Sequence, residues 1–160
     1  MSDAAGRHAI ALASVRELAA RAGAQRVVLL VDEGDGAEAT MIEWAGDETL
    51  ELTTAGVTEP VASAAIAAVT PAVLPDVVAV PPTALTVDAD TGELAAPLGA
   101  LAGLAEGVVA LAAAFGGRSV ATAEFATRDP ERPFALAARP GEPVVAQLGG
   151  DVFTFPEGWP

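Results

Sequence analysis

Residues 94–117 read LAAPLGALAGLAEGVVALAAAFGG, the longest apolar run of the chain, with Glu106 as its only charge. Leu98, Leu101, Leu104, Ala105, Val108, Leu111, Ala112 and Phe115 recur at helical spacing, so residues 98–115 predict a helix with one face against a sheet. Gly116-Gly117 closes it. A run of this length could in principle span a bilayer. Its content is mostly Ala and Gly, Glu106 would sit in hydrocarbon, and no basic cluster flanks it, so a packed helix is expected instead.

Gly99, Gly103 and Gly107 fall four residues apart on this helix. A glycine inside a helix costs about 1 kcal/mol relative to alanine, so the strip needs a reason. A surface without side chains lets another backbone come close. We read these three glycines as interface residues, facing either the first helix of the same chain or the same helix of a second subunit.

Outward from that run, residues 4–22 predict a first helix. His8, Leu12, Val15, Ala19 and Ala22 form its stripe, Leu18 lies beside them, and Gly23 stops it. Residues 26–31, 37–44 and 48–53 follow as three strands of a meander, separated by turns at 32–36 and 45–47. Thr58-Glu59-Pro60 reads as a helix start, with Val61, Ala65, Ala68 and Val69 as a narrow stripe and Pro71 as the stop. Residues 77–80 are a short strand candidate, and 84–87 and 93–96 flank a turn at 88–92. After the central helix, residues 120–127, 134–138, 144–148 and 152–155 predict four strands, with Pro-Gly and Gly-Gly-Asp turn chemistry between them.

The expected fold is therefore α+β: an antiparallel β-sheet with two long helices packed on one face. The chain divides into 1–53 (helix plus three-strand meander), a connector over 54–97, and 98–155 (central helix plus four-strand meander), all within a single domain of 160 residues. The two halves share an element order, readable as one helix–meander unit used twice. Leu18–Gly23 precedes a strand much as Leu111–Gly116 does. Helix followed by meander is loosely similar to GAF- and profilin-like sensor and scaffold folds and, repeated, to sliding-clamp domains. No residue motif supports membership in any of these.

Charge narrows the function classes. The net charge is −14, and residues 27–117 hold fourteen acids and no base. Such a field repels nucleic-acid phosphates and anionic lipid, so neither nucleic acid nor membrane is an expected partner. There is no Cys, which excludes disulfides and thiolate chemistry. Lys, Asn and Tyr are also absent, as codon supply in a GC-rich bacterial genome would explain. The first twenty residues interleave apolar positions with Arg16 and Glu17 and do not read as a signal peptide, so a cytoplasmic location is expected.

Chemistry-bearing side chains are few. His8 is the sole His and has no orienting partner nearby in sequence. Asp88, Asp90 and Glu93 are weak metal candidates: they open like an oxygen-ligand loop but depart from the EF-hand pattern at Gly92 and Gly99. Ser119 lies in no nucleophile elbow. No catalytic residue and no cofactor are expected, and no ligand-binding residues can be named. Arg118, Arg128, Arg132 and Arg139 are the bases of the second half, suited to a carboxylate or to surface ion pairs. The expected function is a non-enzymatic, acidic interaction, scaffold or chaperone-like module that forms a homodimer or binds a protein partner. A small-ligand sensor with a pocket between sheet and helices, and a carboxylate-based metal-dependent enzyme, are the alternatives.

Overall fold

The computed structural model describes residues 3–32, 39–46, 49–72, 74, 77, 86–87, 94–95, 98–116, 118–127, 131, 133–148 and 151–155. Helix α1 (Asp3–Ala22) leads into a meander of β1 (Arg26–Val31), β2 (Thr40–Trp44), β3 (Thr49–Thr54) and β4 (Val57–Ala62). A 3-10 turn (Ser63–Ile66) and a two-residue pairing of β5 (Thr86–Val87) with β6 (Leu94–Ala95) precede helix α2 (Leu98–Ala113). A second meander follows: β7 (Val120–Phe125), β8 (Phe134–Ala138), β9 (Val144–Leu148) and β10 (Asp151–Phe155). Eight strands form one antiparallel sheet in the order β10-β9-β8-β7-β1-β2-β3-β4. Both helices pack on one face, α1 over β1 and β2, α2 over β7 and β8.

Strand alternation explains the single core. Val27, Leu29 and Val31 of β1 are buried while Arg26 and Leu30 are exposed, so the strand has one helix-covered face. The same alternation buries Ala121, Ala123 and Phe125 on β7, and Phe134, Leu136 and Ala138 on β8. The Phe125 and Phe134 rings meet in a tilted arrangement at 6.3 Å between centroids. From the helices, Leu12, Val15 and Leu18 of α1 and Leu101, Leu104, Val108 and Leu111 of α2, with Phe115 just after it, complete the interior. Of the face expected for α2, the positions from Leu101 to Phe115 are buried, and Glu106 is exposed opposite them.

The helices run antiparallel. Leu18 of α1 lies against Gly107 of α2, and the Arg7 guanidinium donates to the Phe115 carbonyl oxygen at the end of α2. That carbonyl also accepts from the Ser119 hydroxyl at 3.0 Å, so α2 ends with an orphan acceptor satisfied twice. At the end of α1, Gly23 has φ 70°, and the Ala24 N–H donates to the Ala19 carbonyl, a Schellman-type closure.

One expectation is overturned here. Residues 57–69 do not form a helix starting at Thr58. They form β4, an edge strand, and then a single 3-10 turn. Thr58-Glu59-Pro60 has the residue types of a helix start, but the preceding turn decides the outcome. Ala55 and Gly56 both have positive φ (54° and 81°), the conformation of a two-residue type I′ hairpin, and it sends the chain straight back along β3. The connector expected over 54–97 thus gives up its first residues to the sheet, and the first meander has four strands. The pairing of β5 and β6 falls within the flanks expected around residues 88–92, while residues 78–80 of the strand expected at 77–80 lie outside the described residues.

With the fourth strand in place, the two halves match residue for residue. Val27↔Trp44 corresponds to Ala121↔Ala138, Ile42↔Leu52 to Leu136↔Ala146, and Leu50↔Val61 to Val144↔Phe155. Every pair is displaced by the same 94 residues, the difference between 27 and 121. The halves join where β1 meets β7, antiparallel and centred on Val28↔Thr122. A local two-fold axis through that pair therefore relates the two helix–meander units.

Candidate functional site

The sheet has a covered face and an open one, and the register places every side chain on one or the other. A single row crosses the open face: Thr154, Val145, Ala137, Thr122, Val28, Glu43, Glu51 and Pro60, one from each strand. Beside it run Val120, Leu30, Met41, Thr53 and Thr58. Among the described residues no helix packs against this face. Its apolar members remain accessible: Leu30 is 36% exposed, Val145 41% and Val152 65%.

Charges stand in the row itself, at Glu43 and Glu51, and around the apolar residues. Arg26 pairs with Glu43 across β1 and β2. Glu124 accepts from the Gln25 side-chain amide at 2.8 Å, and its backbone carbonyl accepts from the Gln25 N–H at 2.8 Å. Arg139 and Glu142 form a loose, exposed pair at 3.8 Å across the β8–β9 turn. Apolar centre and charged rim together have the anatomy of a protein-docking surface. Eight strands spaced by about 4.8 Å and about five residues long give the face a projected area of roughly 650 Å², close to one side of a standard interface.

At one corner the face dips. Val120, Ala137, Val145 and Thr154 form the floor and wall of a depression of about 340 Å³, and Arg139, Glu142 and Pro143 form its lip. Small Ala137, flanked by Val145 and Thr122 in the row, lowers the floor. The depression lies on the open face and not between sheet and helices, where the sensor alternative expected a pocket. Its mixed lip of one guanidinium and one carboxylate suits the end of a side chain as well as a small zwitterion.

The residues singled out by sequence are scattered. Gly107 is buried, and a Cβ there would lie 2.9 Å from Val77 Cγ2 and 3.0 Å from Leu18 Cδ1. At Gly103 a Cβ would meet nothing within 4 Å among the described residues. Gly99 lies in the first turn of α2. The metal candidates Asp88, Asp90 and Glu93, together with Arg128 and Arg132, lie outside the described residues. His8 is half-buried on α1, which packs on the covered face of the sheet. Ser119 is fully buried and committed to the end of α2.

Two structural roles had no sequence signal. Ser14 is fully buried in α1, where its hydroxyl donates to the Ile10 carbonyl at 2.7 Å and accepts from the Ala72 N–H at 2.8 Å. It pins the segment after β4 onto the helix layer. Pro60 sits on the edge strand with its ring nitrogen turned away from β3. Thr54↔Val57 closes the hairpin as a hydrogen-bonded pair, so alternation makes Glu51↔Pro60 a non-hydrogen-bonded one.

No helix among the described residues is long and apolar enough to cross a membrane. Comparison with family models, with curated proteins and with solved structures finds no match.

Proposed function

We propose that the chain is a non-enzymatic interaction module of the scaffold or chaperone-like kind, homo-oligomeric, that binds partners on the open face of its sheet. The observation that carries this reading is the apolar centre of that face, with Leu30 and Val145 exposed inside a charged rim. A solvated sheet face in a monomer alternates to polar residues, whereas this one groups Val28, Leu30, Met41 and Val120 on neighbouring strands and sets Ala137 beside Val145, with Thr122 between the two groups. With a net charge of −14, the favoured partner is basic as well as apolar.

Suppression of aggregation tests the reading with two probes, reduced lysozyme as a basic client and reduced α-lactalbumin as an acidic one. The expected result is suppression of light scattering for the basic client at near-stoichiometric amounts, and little effect on the acidic one. Leu30→Glu, on the open face and off the core, should abolish it without changing the far-ultraviolet circular dichroism. Suppression that survives Leu30→Glu, or absence of suppression with both clients, would remove the support for this face.

A further inference from the structure

We propose that two copies of the chain join through β10, edge to edge and antiparallel, extending the open face across both. This rests on the interaction-module reading for its purpose but on a separate observation for its geometry. The sheet has two free edges among the described residues, β4 and β10, and the two-fold relation of the halves makes them equivalent. They differ in what they offer a new strand.

Alternation fixes which groups point outward. In the β3–β4 hairpin, Thr54↔Val57 is hydrogen-bonded, so Thr58 and Pro60 turn their backbone groups to the free edge. In the β9–β10 hairpin, Leu148↔Asp151 takes the same place, and Val152 and Thr154 turn outward. Pro60 and Thr154 occupy equivalent positions, displaced by the 94 residues that separate 60 from 154. One edge has a proline where the other has a free N–H. Proline on an outward position blunts an edge against pairing, and β10 has no proline among Asp151–Phe155.

Self-pairing of β10 satisfies its free groups. With the two-fold axis at Phe153, Val152 pairs with Thr154 of the second copy and Thr154 with its Val152. Both outward N–H groups and both outward carbonyls of each strand are then used. The paired positions Val152 and Thr154 are uncharged, so two copies of an acidic chain meet here without opposing like charges. The same operation on β4 would centre on Glu59, setting two carboxylates opposite each other, and Pro60 would leave two acceptors without donors. A second copy therefore fits β10 and not β4. The axis stands perpendicular to the sheet, as at the β1–β7 junction, so all helices stay on one side and the open faces become continuous.

The test transplants the blocked edge. Sedimentation velocity of the wild-type chain over a wide concentration range should show a reversible dimer. Thr154→Pro, which copies the residue the other half carries at the same register, removes one donor per protomer and should weaken dimerisation at least about thirtyfold. Pro60→Thr should leave it unchanged. Hydrogen exchange on the unaltered chain is the independent readout. The amides of Val152 and Thr154 should gain protection as concentration rises, and that of Thr58 should not. A wild-type chain that stays monomeric, or a dimer whose Val152 and Thr154 amides exchange freely, overturns the proposal. Client suppression by a monomeric wild type would overturn the edge pairing while keeping the module reading, and a β10 dimer without suppression would do the reverse.

Discussion

Substituting alanine at Gly103 should stabilise the chain and at Gly107 should not, although the two glycines are one turn apart on the same helix. The common gain is the helix preference of alanine over glycine, about 1 kcal/mol in a helix interior. At Gly103 nothing among the described residues lies within 4 Å of the added methyl, so the gain is kept in full. For a domain of this size that raises the midpoint of thermal unfolding by about 2–4 °C. At Gly107 the methyl would lie 2.9 Å from Val77 Cγ2 and 3.0 Å from Leu18 Cδ1. Leu18 is only 1% exposed and cannot swing into solvent, and the valine branch has little freedom at χ1. Overpacking of this kind costs about 1–3 kcal/mol, which cancels or exceeds the propensity gain. Urea unfolding at fixed protein concentration, with the slopes checked for equality, measures both. An equal gain from Gly107→Ala and Gly103→Ala, or a loss of stability in Gly103→Ala, would refute this difference between the two sites. Sedimentation of Gly103→Ala adds a second result: a subunit seam along the glycines would be disturbed by the methyl, whereas a β10 dimer would not.

Two further outcomes follow from local geometry. Ala55 holds φ at 54° in the β3–β4 turn, a conformation that costs an L-residue about 1–2 kcal/mol, and Ala55→Asn should recover about 1 kcal/mol in urea unfolding; an unchanged midpoint would count against the type I′ assignment. Ser14→Ala leaves the half-buried Ala72 N–H without its acceptor and should cost about 1 kcal/mol, with faster hydrogen exchange at Ala72 as the specific sign; unchanged exchange there would remove the pinning role.

The parts of the fold that were legible in sequence are those where one physical signal dominates. Helical spacing from Leu101 to Phe115 and from Leu12 to Ala22 gave both helices and their buried faces. The Gly149-Gly150 and Pro140-Gly141 pairs marked the second meander because glycine there is cheap turn chemistry. The fourth strand of the first meander was missed because the Ala55-Gly56 turn uses an alanine in a strained conformation, which no composition rule flags. Pro60 was misread for a related reason. A proline before an alanine-rich stretch fits a helix start and an edge strand equally well, and only the register against β3 distinguishes them. The open face was harder still. Alternation within each strand was visible, but that Val28 and Leu30 lie beside Thr122 and Val120 depends on β1 pairing with β7 across more than half the chain. The spacing of the α2 glycines suggests one strip, yet Gly107 lies against the side chain of Leu18 while a Cβ at Gly103 would meet nothing within 4 Å among the described residues.

The asymmetry between the two edges bears on how assembly ends. A chain built of two equivalent units has two equivalent sheet edges unless something distinguishes them, and two open edges invite head-to-tail pairing that never closes. Pairing β10 with β4 of the next copy would align Val152 with Pro60, and the Val152 carbonyl would find no donor. Glu59 would bring a charge to the middle of the junction. Each such contact is therefore weaker than the self-pairing of β10, in which every outward group is used. Isologous pairing consumes the one permissive edge of both copies, and the dimer then presents only β4 at either end. The substitution that opens this system is Pro60→Thr combined with Glu59→Thr, which gives β4 the donor set and neutrality of β10. Such a chain should form species larger than dimers by sedimentation, growing with concentration, while Thr154→Pro in the same background should return assembly to a dimer, now paired through β4. If the double variant stopped at the dimer, Pro60 and Glu59 would not be what limits the assembly.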